Sequence, residues 1–291
     1  MAEYQYENAR NTKFWIKVVS VFLAVIIVLG ALVELLCQTS MVKNRIEVSA
    51  MMSDYTKEIV DTSKAVAIDK KTMAEGDNIV AVQNRDGSNT AYIFSEPITY
   101  TDQDGLLRTK DTSIQPVKNT SLEDLGYRYE NGPNDIRIAF STDAKTGARV
   151  SSGNWSYELA PTGDVRSAAG RKVRLSDMDE QFDAFQYKDL YGTGSALNFY
   201  PELNGVKDEI ILPSAPKASV FAFSLTTEGA TAKQNDDGTI SIIEKKSKEV
   251  VQTLSTPFAY DSEYLGDDPE DTVHFSPATF ELTSPTKNDG T

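Results

Sequence analysis

The feature that most limits how this chain can fold is the spacing of its turn signals from residue 79 onward. Residues 79–83 and 90–95 flank Asn84-Arg-Asp-Gly-Ser-Asn89, whose Asp-Gly pair accommodates positive φ. Residues 97–101 and 106–110 flank a second such loop, Asp102-Gln-Asp-Gly105. Farther on, Ile136, Ile138 and Phe140 alternate with Arg137, Ala139 and Ser141. Trp155, Tyr157 and Leu159 alternate with Ser156 and Glu158, and Phe221, Phe223 and Leu225 with Ala222 and Ser224. Asn235-Asp-Asp-Gly238 turns into 239–243, and 249–254 comes next. Period-2 stretches this short, separated by turns every 8–12 residues or so, specify antiparallel β architecture. No strand–helix alternation supports a parallel sheet.

Ahead of this region, residues 18–36 are apolar except for Ser20 and Glu34, close to the roughly 20 residues that cross about 30 Å of hydrocarbon. Ser20 can bond back to its own helix backbone, and Glu34 lies at the outer end, within reach of headgroups. Phe14 and Trp15, with Lys13 and Lys17, form an interfacial anchor at the other end. A buried core helix does not need an uninterrupted apolar surface. A cleaved signal peptide wants a shorter apolar segment and a small-residue cut site. Val48 and Ala50 lie far from the run, and Leu36 stands where a lipoprotein signal wants a small residue before Cys37. An uncleaved signal anchor is therefore favoured. Either way the chain beyond the run is exported, although Lys43 and Arg45 weaken the charge asymmetry.

Three basic and three acidic residues precede Gln38, so the whole net charge of −14 belongs to the remainder. Such acidity opposes nucleic-acid binding and adsorption to anionic lipid, and suits an exported, self-repelling body. The only cysteine is Cys37, so the exported part has no disulfide in a compartment that permits one. That combination points to the surface of a Gram-positive bacterium.

The expected organisation is a cytoplasmic 1–17, a transmembrane or signal helix at 18–37, and a helical spacer at 38–78. The spacer rests on Ile46, Met51, Met52, Tyr55, Ile59 and Val60 at helical spacings, then a break at Asp61 and a second short helix through Ala65-Val-Ala-Ile68. Beyond it come a first β unit (79–160), a seam or long loop (161–194), a second β unit (195–262) and an acidic, turn-rich tail (263–291). The tail holds one further strand, 279–282, and ends in turn chemistry that suggests a longer protein. The fold class is mainly β: an antiparallel, sandwich-like body of one large or two small units.

No constellation of residues assembles a reaction centre, so the sequence leans away from an enzyme and assigns no catalytic, cofactor or metal residue. His274, the only histidine, sits in an acidic, turn-rich stretch without nucleophile-elbow glycines. Asp102-Gln-Asp104-Gly and Asp236-Asp237-Gly lack the remaining oxygen ligands of a calcium loop and read as hairpin turns. Carboxylate pairs are too abundant to single one out for glycoside hydrolysis. Trp155, Tyr191 and Tyr200 could form a sugar-stacking platform, but aromatics on alternating strands more often pack a core.

The order of motifs resembles large secreted Firmicutes proteins of the wall-associated and RHS-repeat type and related exported proteins carrying DNRLRE domains. The matching stretches begin with Ala91-Tyr-Ile-Phe-Ser-Glu-Pro-Ile-Thr-Tyr-Thr-Asp-Gln-Asp-Gly105 and Asp111-Thr-Ser-Ile114. They continue with Asn204-Gly-Val-Lys-Asp-Glu-Ile-Ile-Leu212, Phe221-Ala-Phe-Ser-Leu225, Asp236-Asp-Gly-Thr-Ile240 and Pro257-Phe-Ala-Tyr-Asp-Ser262. The apolar start, Phe14-Trp-Ile-Lys-Val-Val-Ser, is similar to the family's export signal. The resemblance implies an N-terminal β-rich segment of a surface protein, with cell-wall components or glycans as partners and the membrane met through residues 18–37. It transfers no active-site residue. The expected function is a non-catalytic surface module, the leading part of a larger wall-associated or polymorphic-toxin-like protein. The alternative is a glycan-binding or glycan-active surface protein.

Overall fold

A computed structural model describes residues 51–53, 56, 59–61, 63–68, 73–177, 180–215, 220–263 and 274–283. The expected cytoplasmic segment, membrane run and most of the 38–78 spacer lie outside these residues. Among the described residues no helix is long and apolar enough to cross a membrane. The described chain is mainly β, built of several antiparallel sheets.

The first sheet has the order β1-β2-β3, from Ala65–Ile68, Ile79–Asn84 and Asn89–Ile93. The expected second helix at Ala65-Val-Ala-Ile68 is thus a strand. Four apolar residues are ambiguous by periodicity, and pairing of Ala67 with Gln83 and Ile68 with Val82 settles them as β. Met51, Met52 and Val60 are buried against Val80, Val82 and Ile98, so the described part of the spacer packs into the body instead of standing off from it. Ser53 fastens it: its amide donates to Thr109 Oγ1 (2.7 Å) and its hydroxyl to the Lys110 carbonyl (2.7 Å). These bonds meet the two-stranded ribbon β4 (Thr99–Thr101) and β5 (Leu107–Thr109).

A six-stranded sheet comes next. Strands β6 (Ile114–Pro116), β7 (Tyr127–Asn131), β8 (Arg137–Ser141), β9 (Ala148–Ser152) and β10 (Trp155–Thr162) form a meander, with β15 (Ala222–Glu228) added beside β10. A one-turn helix α1 (Thr120–Asp124), N-capped by Asn119, separates β6 from β7. A four-stranded meander comprises β11 (Gly170–Asp177), β12 (Glu180–Lys188), β13 (Ala196–Glu202) and β14 (Gly205–Ile211). The third sheet of this central group is β16 (Ala230–Gln234), β17 (Ile240–Glu244) and β18 (Val250–Leu254). Ile138, Phe140, Val150 and Tyr157 of the six-stranded sheet share one core with Phe185, Tyr187, Leu197 and Phe199 of the four-stranded sheet and with Ile240 and Ile242 of the third. Phe140 stacks on Phe185 at 5.1 Å, and Phe199 meets Tyr187 edge-on at 6.2 Å.

The seam expected at 161–194 is therefore largely sheet, and the units expected at 79–160 and 195–262 are joined through it. The sequence hides β11 and β12 because their inward positions are not uniformly apolar. Arg174 pairs with Asp183 and Lys172 with Phe185 across the two strands. The Asp183 carboxylate is 3 % exposed and accepts from Lys172 Nζ (2.7 Å), Arg174 (3.1 Å) and the Ile114 amide of β6 (2.8 Å). Lys172 Nζ also donates to the Ile114 carbonyl (2.6 Å), so two side chains do for β6 what a neighbouring strand would. The Tyr187 hydroxyl adds a second tie, to the Ser141 carbonyl at 2.6 Å.

The strand expected at 279–282 is absent; Phe275–Pro277 (β20) pairs instead with Phe258–Tyr260 (β19). Gln234 explains the displacement, because its side chain donates to the Phe280 carbonyl and accepts from the Leu282 amide in place of a partner strand.

Two glycines let strands approach closely. At Gly229 (φ +64°) a Cβ would collide with the Asn154 carbonyl, and at Gly147 (φ +66°) with that of Leu159. Gly229→Ala is expected to lower stability by about 2–4 kcal/mol, read as a fall in melting temperature of roughly 5–15 °C. Asp183 carries a pH signature. Burial alone would raise its pKa, yet the Lys172 bond, the Ile114 amide and Arg174 outweigh burial and hold it below the ordinary 3.8. Its stabilisation is fully present above that value and is lost as pH falls through the lower folded pKa. Asp183→Ala should cost about 2–4 kcal/mol at neutral pH, and its denaturation midpoint should depend less on pH below about 4 than the parent's.

Candidate functional site: the outer face of the four-stranded sheet

Strand alternation sends Phe185, Phe199 and Tyr187 inward and leaves Phe182, Gln186, Asn198, Tyr200, Lys207 and Glu209 on the opposite face. There the polar groups form a continuous chain. Gln186 Nε2 donates to Asn198 Oδ1 (3.1 Å), Asn198 Nδ2 to the Tyr200 hydroxyl (2.9 Å), and that hydroxyl to Glu209 (2.6 Å). The other Glu209 oxygen accepts from the Tyr260 hydroxyl of β19 at 2.7 Å. Burial, and then the Glu209 carboxylate, push the Tyr200 phenol well above its usual pKa. Phe182 meets the Tyr200 ring edge-on at 5.6 Å, and Lys207 Nζ lies 5.5 Å from its centroid.

The β19–β20 ribbon carries the aromatic part of the face. Phe258 and Tyr260 are two residues apart, and Phe275 is paired directly with Tyr260, so all three share one side. Phe258 lies 5.4 Å from Phe275 at 27° and 5.9 Å from Tyr260 at 30°. Phe258 is 55 % and Tyr260 51 % exposed.

The residues singled out from sequence scatter. Trp155 and Tyr191 are half-buried against the shared core, and only Tyr200 reaches the outer face. Asp102 caps its own turn, accepting from the Asp104 and Leu106 amides and from Arg108, and Asp237 does the same with Thr239. Both carboxyls are held below their usual pKa, first by those side-chain bonds. His274 Nδ1 lies 3.0 Å from both oxygens of Asp261, beside the ribbon. Among the described residues no group of three or more His, Cys, Asp or Glu converges as for a metal.

Sequence reasoning missed Glu209, Phe258 and Phe275. The alternation in Phe258-Ala-Tyr260 was the available signal, but a three-residue strand is too short to stand out. It also missed Asp208, which faces inward opposite Phe199 yet stays accessible to solvent. Burial raises the pKa values of the Tyr157 and Tyr191 phenols, and the Asp208 charge adds to that effect.

The chain matches no family model, no curated protein and no solved structure.

Glu209 is the hinge of the face. Glu209→Ala should loosen the ribbon from the sheet, so that hydrogen exchange at the Asp261 and Ala278 amides, which close the ribbon's ends, speeds up roughly tenfold. Exchange in β8 and β13 should not change.

Proposed function

We propose that this chain is an exported, non-catalytic surface module. In this reading the apolar run at 18–36 carries a sandwich-like β body across the membrane and holds it at the surface of a Gram-positive cell. The body is the leading part of a larger wall-associated or RHS-type protein. The observation that carries the reading is where the charged groups are spent: Asp183, Lys172, Lys110, Asp102, Asp237 and Arg149 serve as inter-sheet ties, turn caps or cross-strand pairs. That is the pattern of a scaffold that must hold its shape without disulfides. The net charge of −14 and the motif order shared with secreted Firmicutes proteins support the same reading.

Protease added to intact cells should cleave the chain beyond residue 38 while a cytoplasmic marker survives. Full protection of the chain under conditions that digest a known surface protein would overturn the assignment.

A further inference from the structure

We propose that Lys110 and Asn204 join in a self-formed isopeptide bond, with Asp135 and Glu96 as the proton-transfer groups. The inference rests on side-chain geometry and not on where the chain resides.

Lys110 follows β5 and is only 2 % exposed, a position that a lysine rarely occupies without partners. Its Nζ donates to Asn204 Oδ1 at 2.7 Å and lies 2.8 Å from Asp135 Oδ1. On the other side of the amide, Asn204 Nδ2 donates to Glu96 Oε2 at 2.9 Å. The amide is therefore held between an amine and a carboxylate. Its turn is fixed as well: the Leu203 carbonyl accepts from Asn134 Nδ2 (3.2 Å) and the Asn204 carbonyl from Gln252 Nε2 (2.9 Å). Asn204 Cγ sits ~1.2 Å behind the oxygen that Nζ already touches, so attack needs a side-chain shift and no backbone rearrangement.

The reaction balances with the groups present. The Lys110 ammonium gives one proton to Asp135, and the neutral amine forms a bond to Asn204 Cγ. A second proton passes from the attacking nitrogen through Glu96 to Nδ2, the Cγ–Nδ2 bond breaks, and ammonia leaves with the proton that Asp135 held. An ammonium group and a primary amide become a secondary amide and an ammonium ion, with no oxidant or metal required. Lys172 and Asp183 make an instructive contrast, because that lysine faces an anion held ionised by two cations, and an anion repels an attacking electron pair. Asn204 offers a neutral carbonyl. The bond would close a loop between residues 94 positions apart, the long-range tie that a chain whose only cysteine is Cys37 cannot obtain from a disulfide.

The test takes the full chain, purified in detergent micelles, through intact mass spectrometry and tryptic digestion. The mass is expected to be one ammonia below that of the unlinked chain, and the digest to contain a branched peptide joining residues 109–118 to 189–207. Lys110→Arg, which keeps a cation beside Asp135, and Asn204→Ala should each abolish the branched peptide. Asp135→Asn should slow its appearance in freshly made protein at least tenfold. Asn204 precedes Gly205, so ammonia loss that persists in Lys110→Arg marks a succinimide and overturns the proposal. A folded parent chain without the branched peptide overturns it too. The parent digest needs no substitution, so a variant that misfolds leaves the test intact. Because the readout is a covalent bond in purified protein, its failure is separate from failure of export, which the protease experiment reads.

Discussion

Everything in the body depends on three sheets closing over one aromatic and aliphatic core. A lone antiparallel meander has one wet face and one apolar face, and stability comes from covering the second. Here Phe140, Phe185, Tyr187 and Phe199 interlock across the gap between two sheets, and Ile240 and Ile242 of the third belong to the same cluster. The rings fix the spacing of the sheets, and that spacing decides which residues face outward. Tyr200, Lys207 and Glu209 face outward because Phe199 and Asp208, their neighbours in the strands, point the other way.

The polar ties act where apolar packing stops. At the β6 edge, Asp183 and Lys172 occupy the amide and carbonyl of Ile114, groups that would otherwise be left unpaired at a sheet margin. Removing the acid would strand two cations and one amide together, which is why a single residue matters so much there. On β14, an edge strand of the four-stranded sheet, accessible Asp208 marks where the inner face meets water.

The class of fold was legible because β alternation and Asp-Gly turns are local signals: both early hairpins, β8, β10 and the β17–β18 pair fall where the sequence puts them, to within a few residues. What was not legible depended on partners distant in sequence. Arg174 and Lys172 break the apolar alternation of a strand, and only Asp183 explains them, so β11 and β12 fall inside the expected seam. Ala65–Ile68 could be helix or strand until β2 lay beside it. Residues 279–282 have strand composition, but a side chain of Gln234 claims their backbone. The outer face of the four-stranded sheet was the least legible, since Glu209 and Tyr260 are brought together from strands that no local pattern links. Of the three aromatics suggested by sequence, two went to the core.

The β13–β14 turn reaches out of its own sheet. Leu203 is buried among Met51, Met52, Val80 and Ile98, and Asn204 accepts from Lys110 Nζ at 2.7 Å and donates to Glu96 at 2.9 Å. Gln252 of the third sheet donates to the Asn204 carbonyl at 2.9 Å. This one turn therefore bolts the N-terminal sheet to the rest of the body. A pull applied at residue 51 would therefore bear on Leu203 and the Lys110–Asn204 bond, not on a slack linker.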